Sequence, residues 1–304
     1  MKGGPVILFL LCISISCTGS KSRAGINEAE KTKISIANQD QSQSQSQSQS
    51  QSQSQSQSQN RNQDQNAQNQ RTSLPNARLI DALSAAAIPP DMAQKIRAQE
   101  EMFLGELDDT LQKTADPFLW ILVDKQHSLP ESYEPDDLVT LRYKSYRAGI
   151  GDVMMLREKA EAALEELAAA AKSAGITLTV SSAYRSWEYQ IGSFDRWTKR
   201  LGLAQAERVS ARPGMSQHQL GLVVDFGSIT NDFAESAAGR WVKAHAGEYG
   251  WSLSYPRGYE ALTGYDWESW HYRYTGNDLV HFIDRWFDGI QQHAFSFIHE
   301  WAAR

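Results

Sequence analysis

Glutamine and serine alternate without interruption from Gln41 to Gln59, and this tract limits how much of the chain can fold. A period of two is the period of a β-strand, but neither face of such a strand would be apolar here. The segment therefore has no surface whose burial would offset the loss of chain entropy on folding. We predict a disordered Gln/Ser-rich linker over residues 18–77 and a folded part in the residues after it.

The first 17 residues have the pattern of an export signal. A positive charge is followed by an apolar run from Pro5 to Ile13, too short to span a bilayer, and then by small residues up to Cys17. We predict a signal peptide over residues 1–17, of the lipoprotein type, in which Cys17 is lipidated and anchors the protein to a membrane. An ordinary secretory signal is the alternative. Both predict a cell-envelope location, membrane-anchored or periplasmic.

Charge and cysteine content exclude several classes of partner and site. The formal net charge is −6 over 304 residues, with no run of Lys or Arg, which argues against a nucleic-acid partner. Both cysteines, Cys12 and Cys17, fall in the predicted leader. The folded part therefore has neither a disulfide framework nor a thiolate metal site. Nothing in the sequence indicates the oligomeric state.

Apolar spacing after the linker predicts both helices and strands. Residues 78–116 contain a helical pattern over Met92–Lys113 and form a predicted helical preface to a main domain over residues 117–304. In that domain we predict helices over Asp152–Ala174, Trp187–Leu201, Asp232–Tyr249 and Asn277–Trp301. We predict strands over Ile176–Ala183, Gly221–Gly227, Trp251–Tyr255 and Trp270–Thr275. Because helices and strands do not alternate strictly, the predicted fold class is α+β.

One carboxylate, Asp225, stands inside an apolar run and needs a partner, because a buried unpaired carboxylate is costly. His218 lies seven positions earlier, and Glu268 and His271 follow some forty residues later. Two histidines and an aspartate can form a three-ligand catalytic zinc site, and a nearby glutamate can move a proton. On spacing alone, the alternative remains a surface histidine, a turn aspartate, a strand histidine and a surface glutamate.

Strand geometry adds two expectations. Asp225 alternates with its apolar neighbours, so it can face a cleft while they face the core. Glu268 lies three positions before His271 and would be on the wrong face of an extended strand. A turn before Trp270 would bring Glu268 to the face of His271.

A third segment places Arg185 at a predicted junction between a strand and a helix. The planar guanidinium at such a junction suits a carboxylate or a developing oxyanion. The alternative is a surface arginine that pairs with Glu188.

Four motifs in order resemble one known family, the zinc D-alanyl-D-alanine carboxypeptidases of the vancomycin-resistance type, which have a hedgehog-like metallopeptidase fold. They are a lead-in over Leu122–Val139, Tyr184-Arg185-Ser186 with Gln190, Ser216-x-His218-x-x-Gly221-x-x-x-Asp225, and Glu268-x-Trp270-His271. The resemblance covers Asp116 to Thr275. Asp124 departs from the family, which commonly has Asn there.

The resemblance implies a small, mostly antiparallel sheet with flanking helices. It implies a Zn²⁺ cofactor held by His218, Asp225 and His271, with Glu268 as general base and Arg185 as the group that stabilises the oxyanion. It also implies substrate contacts from Ser216, Gln190, Tyr184 and Trp270. Four other histidines, His127, His245, His293 and His299, are placed outside the site.

The implied activity is removal of the C-terminal D-alanine from peptidoglycan stem peptides. Close alternatives are an L,D-carboxypeptidase or an endopeptidase acting on the same peptides, since one catalytic set can serve each bond. Walls of the pocket, such as Arg257–Gly264, would decide among them. A non-catalytic envelope-binding lipoprotein is the alternative from a different class.

Overall fold

The computed structural model describes residues 77–143 and 153–304. The predicted signal peptide and nearly all of the predicted linker lie outside these ranges, as does Asp152, the first residue of one predicted helix. Among the described residues, none of the helices has both the length and the hydropathy that a membrane crossing requires.

Helices dominate the described ranges. In chain order they are α1 (residues 77–85), α2 (Pro90–Ala98), α3 (Glu100–Lys113), α4 (Glu158–Ser173), α5 (Trp187–Leu201), α6 (Leu203–Val209), α7 (Ala237–His245), α8 (Glu260–Thr263), α9 (Asn277–Phe287) and α10 (Gln291–Ala302). The strands are β1 (Leu138–Thr140), β2 (Met155–Arg157), β3 (Val180–Ser182), β4 (Val223–Phe226), β5 (Trp251–Leu253) and β6 (His271–Tyr274).

The strands form two antiparallel sheets. A four-stranded sheet has the order β3-β4-β6-β5, and β1 pairs with β2 in a smaller sheet. All neighbouring strands of the larger sheet run antiparallel, which confirms the predicted α+β class with a small antiparallel sheet. Each of its strands lies within a predicted strand. β4 and β6 are the two central strands, so the residues they carry are held from both sides.

The first hydrophobic core lies between α4 and the larger sheet. Leu164 and Leu167 of α4 are fully buried with Val224 and Phe226 of β4. The helix was expected to begin at Asp152, but it begins at Glu158, because Met155–Arg157 pairs with β1 instead. Pairing with β1 therefore outweighs the helical propensity of the segment Met155–Arg157 itself.

A second hydrophobic core joins the beginning and the end of the folded part. Phe103 of α3 is fully buried, with its ring 5.1 Å from that of Trp286 in α9 and 5.2 Å from that of Phe297 in α10. Glu106 accepts a hydrogen bond from Trp286 Nε1 at 2.6 Å. The helical preface therefore packs against the terminal helices rather than standing apart from the domain.

Three predicted helices are interrupted. Met92–Lys113 is divided at Gln99, where ψ leaves the helical region. Asn277–Trp301 is divided after Phe287, because Asp288 and Gly289 both have positive φ. Asp232–Tyr249 is a true α-helix only over α7, with 3-10 turns on either side. In each case apolar residues on both sides of the break are buried in one of the two hydrophobic cores.

Candidate metal centre and catalytic cavity

His218 lies in a buried 3-10 turn, Gln217–Leu220, that leads into β4. The turn ends at Gly221, whose φ of +67° is a conformation that favours glycine. His218 Nδ1 donates a hydrogen bond to the carbonyl of Ala183 at 2.7 Å. This assignment leaves the Nε2 lone pair free, and Nε2 lies 3.3 Å from Asp225 Oδ2.

Asp225 and His271 are direct partners in the antiparallel ladder between β4 and β6. His271 Nδ1 lies 3.2 Å from Asp225 Oδ1. Both side chains are buried, and ligand atoms of His218, Asp225 and His271 all lie within 4.8 Å of one another. The sequence-predicted ligands are therefore brought together in one cluster.

The cluster fits a zinc ion. Asp225 approaches the two histidines through different oxygens, with Oδ2 3.3 Å from His218 Nε2 and Oδ1 3.2 Å from His271 Nδ1. Tetrahedral donors at zinc bond lengths of about 2.0–2.1 Å are separated by a similar distance, about 3.3 Å. Asp225 Oδ1 is buried and makes no hydrogen bond, in spite of its contact with His271. A buried carboxylate oxygen without a hydrogen bond is costly, and a cation would remove that cost.

The two histidines of the cluster differ in their tendency to hold a proton. Burial lowers the pKa of His218 to about 4, and the nearby Arg185 acts in the same direction. Burial also opposes protonation of His271, but its close contacts with the carboxylates of Asp225 and Glu268 outweigh burial and raise the pKa of His271 to about 9. Burial would raise the pKa of Asp225, yet the two histidines and Arg185 hold that pKa well below its usual value. Of the two histidines, His271 is therefore the one that the cluster favours in its protonated form.

Glu268 lies at the same cluster but outside the ligand set. Its Oε2 is 3.2 Å from His271 Nδ1, and a turn at residues 269–270 brings it there, as the expected geometry required. Asn231 holds this segment on both sides, since its Nδ2 donates to Trp267 O and its Oδ1 accepts from Ser269 N. Burial raises the pKa of Glu268. A carboxylate of raised pKa beside a metal site suits proton transfer near neutral pH.

Arg185 is positioned by the end of β3 and the start of α5. Ser186 caps α5 by accepting a hydrogen bond from Tyr189 N, so Arg185 lies directly before the helix. Its Nε donates to Ser182 Oγ at 2.9 Å, and its terminal nitrogen donates to Asp225 Oδ2 at 2.8 Å. The ion pair of Arg185 is thus with the metal cluster and not with Glu188.

These groups open into a cavity of about 460 Å³. The ligands, Arg185 and Glu268 line it at one place, and α5 supplies a long wall. That wall consists of Tyr189, Gln190, Ser193, Arg196, Trp197 and Arg200. The volume falls in the range of small-molecule and peptide pockets.

Comparison with known proteins agrees with this geometry. Residues 153–277 match the family model VanY, D-alanyl-D-alanine carboxypeptidase. The chain is 30% identical over 220 residues to a D-alanyl-D-alanine carboxypeptidase of Enterococcus faecalis (strain ATCC 700802 / V583), covering 66% of this chain and 76% of that protein. The chain belongs to the VanY D-alanyl-D-alanine carboxypeptidase family.

This VanY family member is also similar to two further proteins, one by sequence and one by structure. The putative carboxypeptidase YodJ of Bacillus subtilis (strain 168) is 35% identical over 187 residues, which cover 56% of this chain and 67% of that protein. The solved structure of the LdcB LD-carboxypeptidase superposes with a TM-score of 0.54 at 34% identity, covering 58% of this chain and 85% of that chain. Membership of the VanY family makes this protein a hydrolase of the metallopeptidase class.

The VanY family match contains every residue of the metal cluster, and it ends where α9 begins. The helices α1–α3, α9 and α10, which build the second core, therefore lie almost wholly outside the matched region. They are a feature that the family match does not describe.

The predicted substrate-binding residues divide into two groups. Ser216, Gln190 and Trp270 are buried and line the cavity with the metal cluster. Gln190 Nε2 donates to Ala211 O at 2.7 Å, while its Oε1 has no hydrogen-bond partner. Tyr184 does not line this cavity; its amide donates to Met155 O at the small sheet.

Sequence reasoning missed several residues that contact the site. Asn231 holds both sides of Glu268, and Gln217 lies 3.4 Å from His271 Nε2. Tyr255 places its ring 4.7 Å from that of His271. The only signal for Gln217 was its place beside His218, and neither Asn231 nor Tyr255 belongs to a recognisable motif.

The four histidines placed outside the site do lie elsewhere. His245 pairs with Glu248 on the surface, and His293 packs near Tyr259. His127 and His299 contact each other at a second cavity of about 400 Å³ beside α10. Asp124, the residue that departs from the family pattern, accepts hydrogen bonds from His127 and from Gln292 there.

Proposed function

We propose that this protein is a zinc-dependent D,D-carboxypeptidase that removes the C-terminal D-alanine from peptidoglycan stem peptides. The observation that carries the proposal is the convergence of His218, Asp225 and His271 with Glu268 in one cavity. The D-alanyl-D-alanine substrate is the one that the names of the family and of the Enterococcus relative state.

The metal would be held by His218 Nε2, a carboxylate oxygen of Asp225 and His271 Nδ1. A zinc ion bound there supplies a Lewis acid that polarises the scissile carbonyl and lowers the pKa of the attacking water. Glu268 accepts the proton that this water loses as it attacks the carbonyl carbon. Glu268 then gives the proton to the nitrogen of the leaving D-alanine as the peptide bond breaks.

Arg185 has hydrogen-bond donors that are not used within the protein and are available to the developing oxyanion. Its Nε and one terminal nitrogen are used by Ser182 and Asp225, which fix the plane of the guanidinium. The second terminal nitrogen carries two further N–H donors, and Arg185 lines the cavity in which the peptide carbonyl would bind. The Ser216 hydroxyl can donate to the terminal carboxylate, while the unpartnered Gln190 Oε1 can only accept and suits an N–H of the peptide. Both side chains are buried in the cavity lining.

A second candidate activity is that of an L,D-carboxypeptidase. The likeness to the LdcB LD-carboxypeptidase favours it, since that structure superposes at 34% identity with a TM-score of 0.54. The same zinc, base and arginine would serve either bond, so the pocket walls decide between the two. An endopeptidase acting on the same peptides would need the cavity to admit chain beyond the terminal residue.

One experiment separates these activities. The purified protein is incubated with zinc and, separately, with a stem pentapeptide and a stem tetrapeptide, and the products are identified by mass. Release of one D-alanine from the pentapeptide alone supports the proposed D,D-activity. Release from the tetrapeptide alone would replace it with the L,D-activity, and two intact peptides would refute both.

We also propose that the protein acts in the cell envelope, anchored by a lipid on Cys17. The support is the leader pattern of residues 1–17, followed by a polar linker that can serve as a tether. Labelled palmitate should enter the wild-type protein and a Cys12→Ser variant, and it should be absent from a Cys17→Ser variant. Equal labelling of Cys17→Ser, or an unlabelled wild-type protein found in the soluble fraction, would refute the anchor.

A further inference from the structure

Gln217 contacts His271 on the side of the ring away from Asp225. His271 Nδ1 faces Asp225 and Glu268, and its other nitrogen, Nε2, lies 3.4 Å from Gln217 Oε1. A histidine that ligates through Nδ1 carries its hydrogen on Nε2, and that hydrogen needs an acceptor. The carbonyl oxygen of the buried Gln217 side chain is in position to be that acceptor.

Ser254 holds this acceptor in place. Its hydroxyl donates to Gln217 Oε1 at 2.8 Å, and its amide donates to the carbonyl of His271 at 3.2 Å. Ser254 is buried directly after β5, the strand that pairs with β6. One residue therefore fixes both the backbone of His271 and the group that faces its ring.

The contact continues to the last helix. Gln291, the first residue of α10, is buried with its Oε1 3.3 Å from Ser254 Oγ, a packing contact because the one hydroxyl hydrogen of Ser254 is directed to Gln217. Its Nε2 donates to Ser252 O at 3.4 Å. α10 belongs to the second core, outside the region that matches the VanY family. Three buried polar side chains thus connect that core to a metal ligand.

We infer that Gln217 is a positioning residue that holds His271 with Nδ1 toward the metal, and that Ser254 and Gln291 hold Gln217 in that place. This inference rests on the proposed zinc site. A purely structural role, in which the three side chains only satisfy each other inside the protein, is the competing explanation. That role affects the stability of the fold but not the affinity for metal.

The test compares Gln217 with Gln219 on the same turn. Gln219 is equally buried, but its amide donates to Pro130 O and Tyr133 O, away from the metal cluster. Zinc affinity of the purified full chain is measured by competition with a chelating dye, and unfolding is followed in urea. Gln217→Met should weaken zinc binding by about 10–100-fold. Gln219→Met should lose stability and keep the wild-type zinc affinity.

Two more variants sharpen the test. Gln217→Glu keeps an acceptor oxygen and should restore most of the zinc affinity that Gln217→Met loses. Gln291→Met should weaken zinc binding to a smaller extent. The absorption spectrum of the cobalt-substituted protein should change in Gln217→Met and stay unchanged in Gln219→Met.

The outcomes separate the two hypotheses. Equal zinc affinity in Gln217→Met and the wild type, equal losses in Gln217→Met and Gln219→Met, or no recovery in Gln217→Glu would each overturn the role of Gln217. Wild-type zinc affinity in Gln291→Met would show that α10 does not help to position Gln217. A wild-type chain that binds no zinc would refute the proposed function itself, whatever the variants do.

Discussion

Asp225 of β4 and His271 of β6 lie directly opposite each other in the antiparallel ladder, with Oδ1 and Nδ1 3.2 Å apart. The pairing of Val224 with Tyr272 alongside them fixes the same register. A slip of one residue would turn either side chain to the other face of the sheet. The geometry of the candidate metal centre therefore depends on strand pairing as much as on the identity of its ligands.

Replacement of Glu268 by glutamine should separate metal binding from catalysis. Glu268 lies outside the ligand set, so Glu268→Gln should bind zinc as the wild type does. It cannot accept a proton, so release of D-alanine should fall by about 10²–10⁴-fold. Glu188→Gln, an exposed change in the first turn of α5, is the control and should leave the rate unchanged. Undiminished release by Glu268→Gln would refute the base assignment.

Zinc affinity should rise with pH between about 7 and 9. His271 holds a proton in the metal-free cluster because Asp225 and Glu268 raise its pKa to about 9, and zinc must displace that proton. Since the metal-bound state holds one proton fewer, each pH unit should strengthen binding by about tenfold and the gain should level off above pH 9. His218, with its pKa near 4, adds no dependence in this range. Chelator competition at several pH values measures how zinc affinity changes with pH. A zinc affinity that does not change between pH 7 and 9 would contradict the prediction.

Arg185→Met should lower kcat by about 10²–10³-fold, the range found for loss of one oxyanion donor. The fall should appear in kcat more than in KM if Arg185 acts on the transition state. Ser182→Ala removes only the hydrogen bond that orients the guanidinium, so it should cause a smaller fall. Steady-state kinetics on the pentapeptide measure both. Equal effects of the two variants would show that orientation, and not the donor, is what Arg185 contributes.

Gly221→Ala should destabilise the protein more than Gly175→Ala does. Both glycines have positive φ, so alanine at either costs about 1–2 kcal/mol of backbone strain. A Cβ at Gly175 would meet no atom within 4 Å, whereas at Gly221 it would come within 3.0 Å of Arg157 Cγ. Ion pairs with Asp116 and Asp137 prevent Arg157 from giving way easily. Urea unfolding measures the difference, and equal losses would mean that the turn before β4 relaxes freely.

Phe103→Ala tests whether the helical preface is part of the domain. Phe103 is fully buried against aromatic rings of α9 and α10, so its truncation should lower the free energy of unfolding by about 3–5 kcal/mol. Met102→Ala alters the neighbouring, exposed side chain and should change the free energy of unfolding little. A small effect of Phe103→Ala on unfolding would mean that α3 contributes little to the core.

The metal cluster could be predicted because local motifs carry it. His218 and Asp225 stand in one short segment, and Glu268 and His271 stand in another, so each half is visible in a few residues of sequence. What joins the halves is the register of β4 and β6, and no local pattern states it. The family resemblance supplied that pairing.

Contacts made only by tertiary packing could not be predicted. Asn231 reaches Trp267 and Ser269 across more than 35 positions, and Gln291 reaches Ser254 across 37. The helix breaks at Gln99 and Asp288 were not predicted either, because the apolar spacing of a helix continues through both positions. The strands of the larger sheet were predicted well because β-branched and aromatic residues mark them.

The second core also determines when the chain can finish folding. Arg78 donates a hydrogen bond to Trp301 O across 223 positions, and Glu106 contacts Trp286 across 180. Such contacts cannot form until α9 and α10 have been synthesised, because one partner of each contact does not yet exist. A nascent chain halted before α10 would leave the aromatic faces of α3 and α9 uncovered. The second core can therefore assemble only after the residues of the first core and the larger sheet, which lie between its two halves in sequence, have been synthesised.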